Sequence, residues 1–476
     1  MNIAAHSRGN RTIYTLYLML LAWAPIPLGS NRVWAWSFLE AIIYLLVATI
    51  AIVSMISGKK IVAYSALNHN RLIIAIFGLQ LGYLLIQCVP LPAGLLALLS
   101  PLKAAWFETE PLIANARFIT LSASPQHSMI EFYKQLAYLL MLCLTLCLVD
   151  SKKRLFITLS VIISVSILEA VYGVVARLLG DSFTFWRPTD GGLAGGTFVN
   201  KNHFAANLSL SVGLSIGLCL YFLRVSPVTQ TSSKLRGLAL QLIKLVLTPV
   251  GFIFGVLLIL ISGMLLSQSR GALIALFLAV LIILSLGMAR HGRKSLEAKI
   301  LPYILLTTLL AAFWLGLGNM FSSFVGLLDT DTSRWTHWQQ TWTMFTDHWL
   351  SGVGNGAYQF IFTQYKEGDY TNYLIDYAHN DHLQLLAEQG IIGASLWYSA
   401  LFLCCTSLLS AFRRNHGSRR YQSLLLGCMI ALTAFLLHGL VDFNFHIPAN
   451  ALWFYTILGL AMALSRTINR GKWPSE

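Results

Sequence analysis

Apolar runs close to 20 residues long recur along the whole chain, and no other feature constrains its fold so tightly. A helix needs ~20 apolar residues to cross a hydrocarbon core ~30 Å thick. With 56% of its 476 residues hydrophobic and 11% charged, the chain has too little polar surface for a water-soluble fold of this length. The fold class expected is all-α: a polytopic integral membrane protein with about twelve transmembrane helices. The spans fall near 13–29, 33–57, 71–90, 132–149, 154–178, 203–224, 241–264, 270–289, 300–318, 391–412, 421–439 and 450–466. The first run, from Ile13 to about Leu28, lacks a small-residue cleavage site and is interrupted by Pro25 and Pro27, so it reads as a span rather than a secretory signal.

The formal net charge of +14 would suit a nucleic-acid partner if the cations formed a patch. They gather instead in every second loop, as in Lys152-Lys153-Arg154, Arg290 with Arg293 and Lys294, and Arg413-Arg414 with Arg419-Arg420. That alternation is the positive-inside pattern. The charge therefore reads as topology, both termini fall on the cytoplasmic side, and no nucleic acid is expected. The seven cysteines all lie in apolar runs, with neither zinc spacing nor a position in an outer loop where disulfides form.

Two outer loops are long enough to be structures. Residues 91–131 hold a proline-rich stretch that predicts a short interfacial helix and a strand-like piece. Residues 319–390 are the longest segment between spans, and loops of that length are commonly functional. The organisation expected is 1–318 as transmembrane helices 1–9 with the segment 91–131, 319–390 as an outer loop subdomain, and 391–476 as helices 10–12. Inside the long loop, Asp331-Thr332-Ser333 offers an N-cap to a helix with Trp335, Trp338, Trp342, Phe345 and Trp349 on one face. Such a stripe suits the headgroup layer of a bilayer. A platform for stacking sugar rings has the same composition.

Polar clusters sit at the outer ends of the spans. His379-Asn380 precedes a helix with Leu383, Leu386 and Ala387 on its buried side, ended by Gly390 as a C-terminal cap. An imidazole at a helix N-terminus near arginines is disfavoured as a cation, and its neutral form accepts a proton near pH 7. Arg270, in Leu266-Ser267-Gln268-Ser269-Arg270-Gly271, lies at the outer mouth of two spans, against the positive-inside trend. Its hydroxyl and amide neighbours are the company of an anion-binding guanidinium, although an arginine at a span end also snorkels. Asn200, Lys201, Asn202 and His203 open another span, where backbone amides attract anions and Lys201 adds charge; an ordinary polar cap would look the same. Arg334 opens the aromatic helix and, alone, reads as a solvated side chain.

Together these segments resemble a known family. His379-Asn380, nine residues, then Gly390-Ile391-Ile392-Gly393 is similar to the histidine motif of the bacterial O-antigen ligases, part of a wider ligase and polymerase superfamily. The segments Gly196-Thr197-Phe198-Val199-Asn200-Lys201-Asn202-His203 and Ser269-Arg270-Gly271 agree with it in order and topology. So does Arg334 with Trp338, followed by Gly352-Val353-Gly354-Asn355-Gly356. The resemblance implies a metal-independent GT-C type glycosyltransferase of the bacterial inner membrane, its site and the 319–390 subdomain facing the periplasm. It implies a glycan donor on undecaprenyl diphosphate and an acceptor hydroxyl on lipid A-core or, in a polymerase, on a second lipid-linked glycan. By the same motifs His379 would be the general base and Arg270 and Arg334 would hold the diphosphate. Asn200, Lys201, Asn202, His203, Asn380 and Trp338 would bind substrate. No cofactor is implied.

Elementary chemistry agrees with that division of labour. A diphosphate leaves as a stable anion and needs positive charge rather than a general acid. Guanidinium forks match phosphate oxygens, and one base then suffices for a single, inverting displacement. Other readings have less behind them. Asp329-Thr330-Asp331 has the form of a metal-binding Asp-x-Asp, but Asp331 already serves as a cap. His379 and His382 lack a third zinc ligand. The segment Gly352–Gly356 lacks the strand and helix of a dinucleotide site and reads as a turn. A transporter also predicts twelve spans, but would carry ionisable groups at mid-membrane on broken helices. Here only Glu40 and Glu169 are candidates for that.

Overall fold

The computed structural model describes residues 8–58, 62, 64–109, 118–180, 193–225, 248–292, 295, 299, 332–367, 374–414, 418–471 and 473. The first six long helices are α1 Arg8–Trp23, α2 Val33–Ser57, α3 Arg71–Cys88, α4 Pro125–Leu148, α5 Lys152–Leu179 and α6 Lys201–Val225. The next six are α7 Pro249–Leu266, α8 Arg270–His291, α9 Thr332–Asp347, α10 Asp381–Arg413, α11 Arg419–His438 and α12 Pro448–Arg470. Ten of them, α2 to α8 and α10 to α12, are long and apolar enough to cross a membrane. The protein is an all-α polytopic membrane protein. Helix α1 has 16 residues and stops just before Pro25 and Pro27, which cannot continue a helical ladder. The expected span 300–318 and Asp329-Thr330-Asp331 lie outside the described residues.

The extended structure described is one antiparallel pair, Pro90–Pro92 against Phe118–Thr120. It is flanked by the short helices Ala93–Leu99 and Pro101–Thr109. Helix α4 begins at Pro125, seven residues before the expected 132, because a proline in the first turn forfeits no hydrogen bond.

Small residues decide how closely the spans approach. Gly213 and Gly217 of α6 face Ala431 and Gly427 of α11, and a Cβ on Gly217 would come within 2.8 Å of the Gly427 Cα. Without a hydrophobic drive between helices in lipid, such backbone contact is what holds spans together. Helix α12 lies at the centre, with every residue from Pro448 to Ile468 buried. Helix α2 is peripheral: it buries only Ala35, Leu39, Ile43, Leu46 and Ile50, a single helical stripe.

Helix α10 is broken at Gly390 (φ 61°, ψ −170°), so the expected helix end is a kink between two helical segments. The turn around Gly352 (φ 70°) crosses the break, where a Cβ would lie 2.3 Å from the Glu388 carbonyl oxygen. Val353 N donates to Ala387 O at 3.0 Å and Ile391 N donates to Trp349 O at 2.8 Å, so the break's backbone groups are satisfied across the crossing. Met344, Val353, Tyr358, Phe362, Ala378 and Ala387 form a small core that ties α9 to the start of α10.

The aromatic stripe of α9 divides in two. Trp335, Trp342 and Trp349 are 61%, 53% and 56% exposed. Trp338 turns inward and its Nε1 donates to Ala378 O at 3.1 Å. One edge of the stripe faces outward, and the other fixes the segment leading to His379.

Candidate functional site

The site is built on the loop between α11 and α12. Asp442, 1% exposed, accepts from Phe443 N at 2.9 Å and is ringed by imidazoles from three other elements. His203 Nε2 of α6 lies 3.5 Å from Oδ1, His438 Nε2 of α11 lies 3.9 Å from Oδ2, and His379 Nδ1 lies 3.9 Å from Oδ1. Burial would raise the Asp442 pKa. The adjoining His203 and His438 rings and the Phe443 N–H outweigh it and hold this carboxyl well below the usual range. It is an anion at neutral pH.

His379 is held in a conformation an L-residue rarely adopts (φ 52°). Three contacts over-determine that loop. Asn380 Oδ1 accepts from His382 N at 3.1 Å and Leu383 N at 3.0 Å, capping α10. Asp381 N donates to Gly439 O at 2.8 Å. The Phe443 ring meets the His379 ring edge-on at 4.8 Å, the His203 ring at 4.6 Å, and stacks on Tyr377 at 4.4 Å. With its side chain 35% exposed, His379 is the accessible imidazole of the three, since those of His203 and His438 are only 4% and 2% exposed.

Burial lowers the His379 pKa. Asp442 pulls it up, Arg334 and the neighbouring histidines push it down again, and the net shift is downward from 6.5. His379 is therefore neutral at pH 7. A proton on Nδ1, facing the carboxylate, leaves Nε2 as the proton acceptor.

The expected cations do converge here from distant parts of the chain. Lys201 opens α6, Arg270 opens α8 and Arg334 lies in the first turn of α9. Both guanidiniums lie within electrostatic reach of the Lys201 ammonium, and Arg334 also acts on His379 and His438. Gly271, next to Arg270, packs on the His438 ring, where a Cβ would come within 3.3 Å of Nε2. Among the described residues, neither Lys201 nor Arg334 has a carboxylate partner.

Several residues read as substrate-binding have polar atoms already engaged within the protein. His203 is 3% exposed beneath Asp442, so it adjoins the carboxylate rather than the open site. Asn200 Oδ1 accepts from Asn202 N at 2.8 Å and shapes the turn into α6. The Asn380 carbonyl is spent on its cap, and the Trp338 N–H on Ala378. His382 is turned away from His379, with its ring nitrogens 2.5 Å from Tyr398 Oη and 2.9 Å from Leu436 O. Among the described residues no group of three or more His, Cys, Asp or Glu is arranged to hold a metal ion.

Asp442, His438 and Phe443 were missed by sequence reasoning. The signal was the density of polar and aromatic residues in the short stretch from His438 to His446 that joins α11 to α12. Residues 255–398, which include Arg270, Arg334 and His379, match the family described as O-antigen ligase. No curated protein matches the chain at a significant level.

Proposed function

From the match of residues 255–398 to the family described as O-antigen ligase, we propose that the chain is a member of that family and transfers a glycan from undecaprenyl diphosphate to a sugar hydroxyl of lipid A-core, at the periplasmic face of a bacterial inner membrane. The family implies a glycosyltransferase-like membrane enzyme. The observation that supports the finer reading is the grouping of Lys201 with Arg270 and Arg334, the last of which also acts on a neutral His379. Like charges brought together repel, and a bound polyanion such as a diphosphate offsets that repulsion.

The reaction follows from these positions. His379 Nε2 takes the proton of the acceptor hydroxyl as its oxygen attacks the anomeric carbon. The bond from that carbon to the diphosphate oxygen breaks, and the electron pair leaves with the diphosphate. Arg270, Arg334 and Lys201 stabilise the growing charge, and no general acid is needed. Asp442 orients the imidazole and stabilises the imidazolium that forms. A single displacement inverts the anomeric configuration, and activity survives EDTA.

The test is transfer in detergent with a purified lipid-linked donor and lipid A-core. The expected loss for a folded His379→Ala protein is on the order of 10²–10⁴-fold. A retained anomeric configuration, or undiminished transfer by that variant, sinks the mechanism. Deleting the protein in its host separates the two acceptor classes. Long chains missing from lipid A-core but accumulating on undecaprenyl diphosphate mark a ligase, whereas single-repeat caps mark a polymerase.

A further inference from the structure

Glu169 is a carboxyl group in the middle of α5, 3% exposed, that takes no part in the mechanism above. Its hydrogen-bond partner in the segment leading into α6 is Thr197. Thr197 N lies 2.8 Å from Glu169 Oε2, and Thr197 Oγ1 lies 2.8 Å from Glu169 Oε1. The same Thr197 Oγ1 also lies 2.9 Å from Pro25 O.

Counting protons decides the charge of this group. A carbonyl oxygen only accepts, and a threonine hydroxyl has one proton to give. If Glu169 were ionised, Thr197 Oγ1 would face two acceptors with a single proton, leaving one oxygen pair in contact without a hydrogen between them. If Oε1 carries a proton, every contact is satisfied. Oε1–H donates to Thr197 Oγ1, that hydroxyl donates to Pro25 O, and Thr197 N–H donates to Oε2. The surroundings agree, because among the described residues no cation pairs with Glu169. An ionised carboxylate alone in a membrane span is costly.

The contact is shaped so that little else fits. Gly196 (φ 56°) sits on the carboxyl group, where a Cβ would come within 2.5 Å of Glu169 Oε2 and 2.6 Å of the Phe204 ring. A Cβ on Gly173, one turn along α5, would come within 2.9 Å of Gly196 N. Phe198 is in turn wedged over Gly29, at 2.5 Å from where its Cβ would be. The turn at 195–200 is thus clamped between α5 and the Pro25–Ser30 turn, and Asn200 and Lys201 follow directly from it.

We propose that Glu169 is a protonated carboxylic acid and the positioning residue of the anion-binding segment, donating from Oε1 to Thr197 Oγ1 and so holding Lys201 opposite Arg270 and Arg334. This rests on the reading of those three cations as the diphosphate site. Glu169 does not touch substrate. It acts through the backbone of 197–201, and its loss weakens binding of the donor more than the chemical step.

Two measurements on the full-length protein in detergent test this, and neither needs turnover. Infrared difference spectra of wild type against Glu169→Gln should show the carbonyl stretch of a protonated carboxyl at neutral pH that the variant lacks. Binding of inorganic pyrophosphate by calorimetry should be near wild type in Glu169→Gln, whose amide reproduces the donor and the acceptor of a neutral acid. In Glu169→Leu it should weaken about tenfold, the equivalent of one lost hydrogen bond. Where transfer is assayed, Glu169→Leu should raise KM for the lipid-linked donor with kcat nearly unchanged. A difference spectrum with only carboxylate bands overturns the proposal, as does a Gln variant as defective as Leu. If the protein transfers no glycan but the infrared band and the Gln rescue are present, the enzymatic reading fails and the Glu169 assignment stands.

Discussion

The loop from Tyr377 to His382 separates two polar clusters that differ in how completely they are satisfied. On one side a cavity is lined by Glu131, Asn355, Asp381, Glu388, Gln389 and His446. There His446 Nδ1 meets Asp381 at 3.1 Å, Gln389 accepts from Gln80 Nε2 at 3.0 Å and donates to Asn355 at 2.9 Å, and Lys134 pairs with Glu131 at 2.6 Å. Asn355 Nδ2 is the exception without a partner. On the other side, His203 Nε2, His379 Nδ1, His438 Nδ1 and Asp442 Oδ2 all lack hydrogen bonds, Arg334 acts on His379, and Arg270 and Arg334 act on Lys201. A buried network whose partners are in place rigidifies a fold. Groups left unsatisfied at a cost are retained where a ligand or a reaction uses them. This criterion assigns the acidic side to the frame and supports the proposal that the cationic side is the site.

Mutations can break that contrast. The largest effect after loss of His379 itself is expected from Arg334→Ala or Arg270→Ala, about 10²–10³-fold in kcat, since each removes a preorganised donor to the leaving group. Arg334→Lys restores only part of it, because an ammonium lacks the fork. Steady-state kinetics with the lipid-linked donor reads both, and an Arg334→Ala enzyme with wild-type kcat would remove the cationic side from the reaction.

A smaller effect is expected from Asp442→Asn, ~10–100-fold, in line with ~1.5–3 kcal/mol for a charge-assisted contact. The pH profile sharpens it. In the proposed mechanism His379 acts when neutral, and its pKa lies below 6.5, so kcat/KM should be flat above that pH and fall as pH drops through the lowered value. Asp442 raises the His379 pKa, so removing its charge should move the acid limb to still lower pH. A limb unmoved in Asp442→Asn would assign the proton to another group.

The smallest effect on turnover belongs to the acidic side. Gln389→Leu strands Asn355 Oδ1, leaves Gln80 Nε2 with Gln135 as its one remaining acceptor, and should lower stability by about 1–3 kcal/mol, read as an earlier thermal transition in detergent. Activity per folded molecule should be unchanged. A loss of kcat with no loss of stability would show that the acidic side is not merely frame.

Much of this was legible in the chain itself. Spans declare themselves because a bilayer admits only long apolar helices, and a polar residue at the end of such a run stands out. His379, Arg270 and Lys201 were visible for that reason, whereas Arg334, inside the long loop, stood out only through the family resemblance. Gly390 was visible as a special backbone position, read as a helix end, because left-handed positions restrict residue type; that it is a kink, and that Asn380 caps α10, came from the structure. Asp442 reads in sequence as an ordinary turn acid and Glu169 as a stray charge in a span, since neither motif nor periodicity says which partner a buried carboxyl will meet.

The sequence by itself therefore determined the class of fold, the outer-end polar positions and the kind of chemistry they suit. Only the tertiary structure decided which of those residues share a site. It put His203 beneath Asp442 rather than in the open site, turned Trp338 inward onto the His379 loop, and brought Lys201, Arg270 and Arg334 together from three helices. The physical reason is that hydropathy and local propensity act over one helix. Convergence is set by packing between helices, through close contacts such as Gly217 on Gly427 and Gly352 on Gly390, which link residues far apart in the chain.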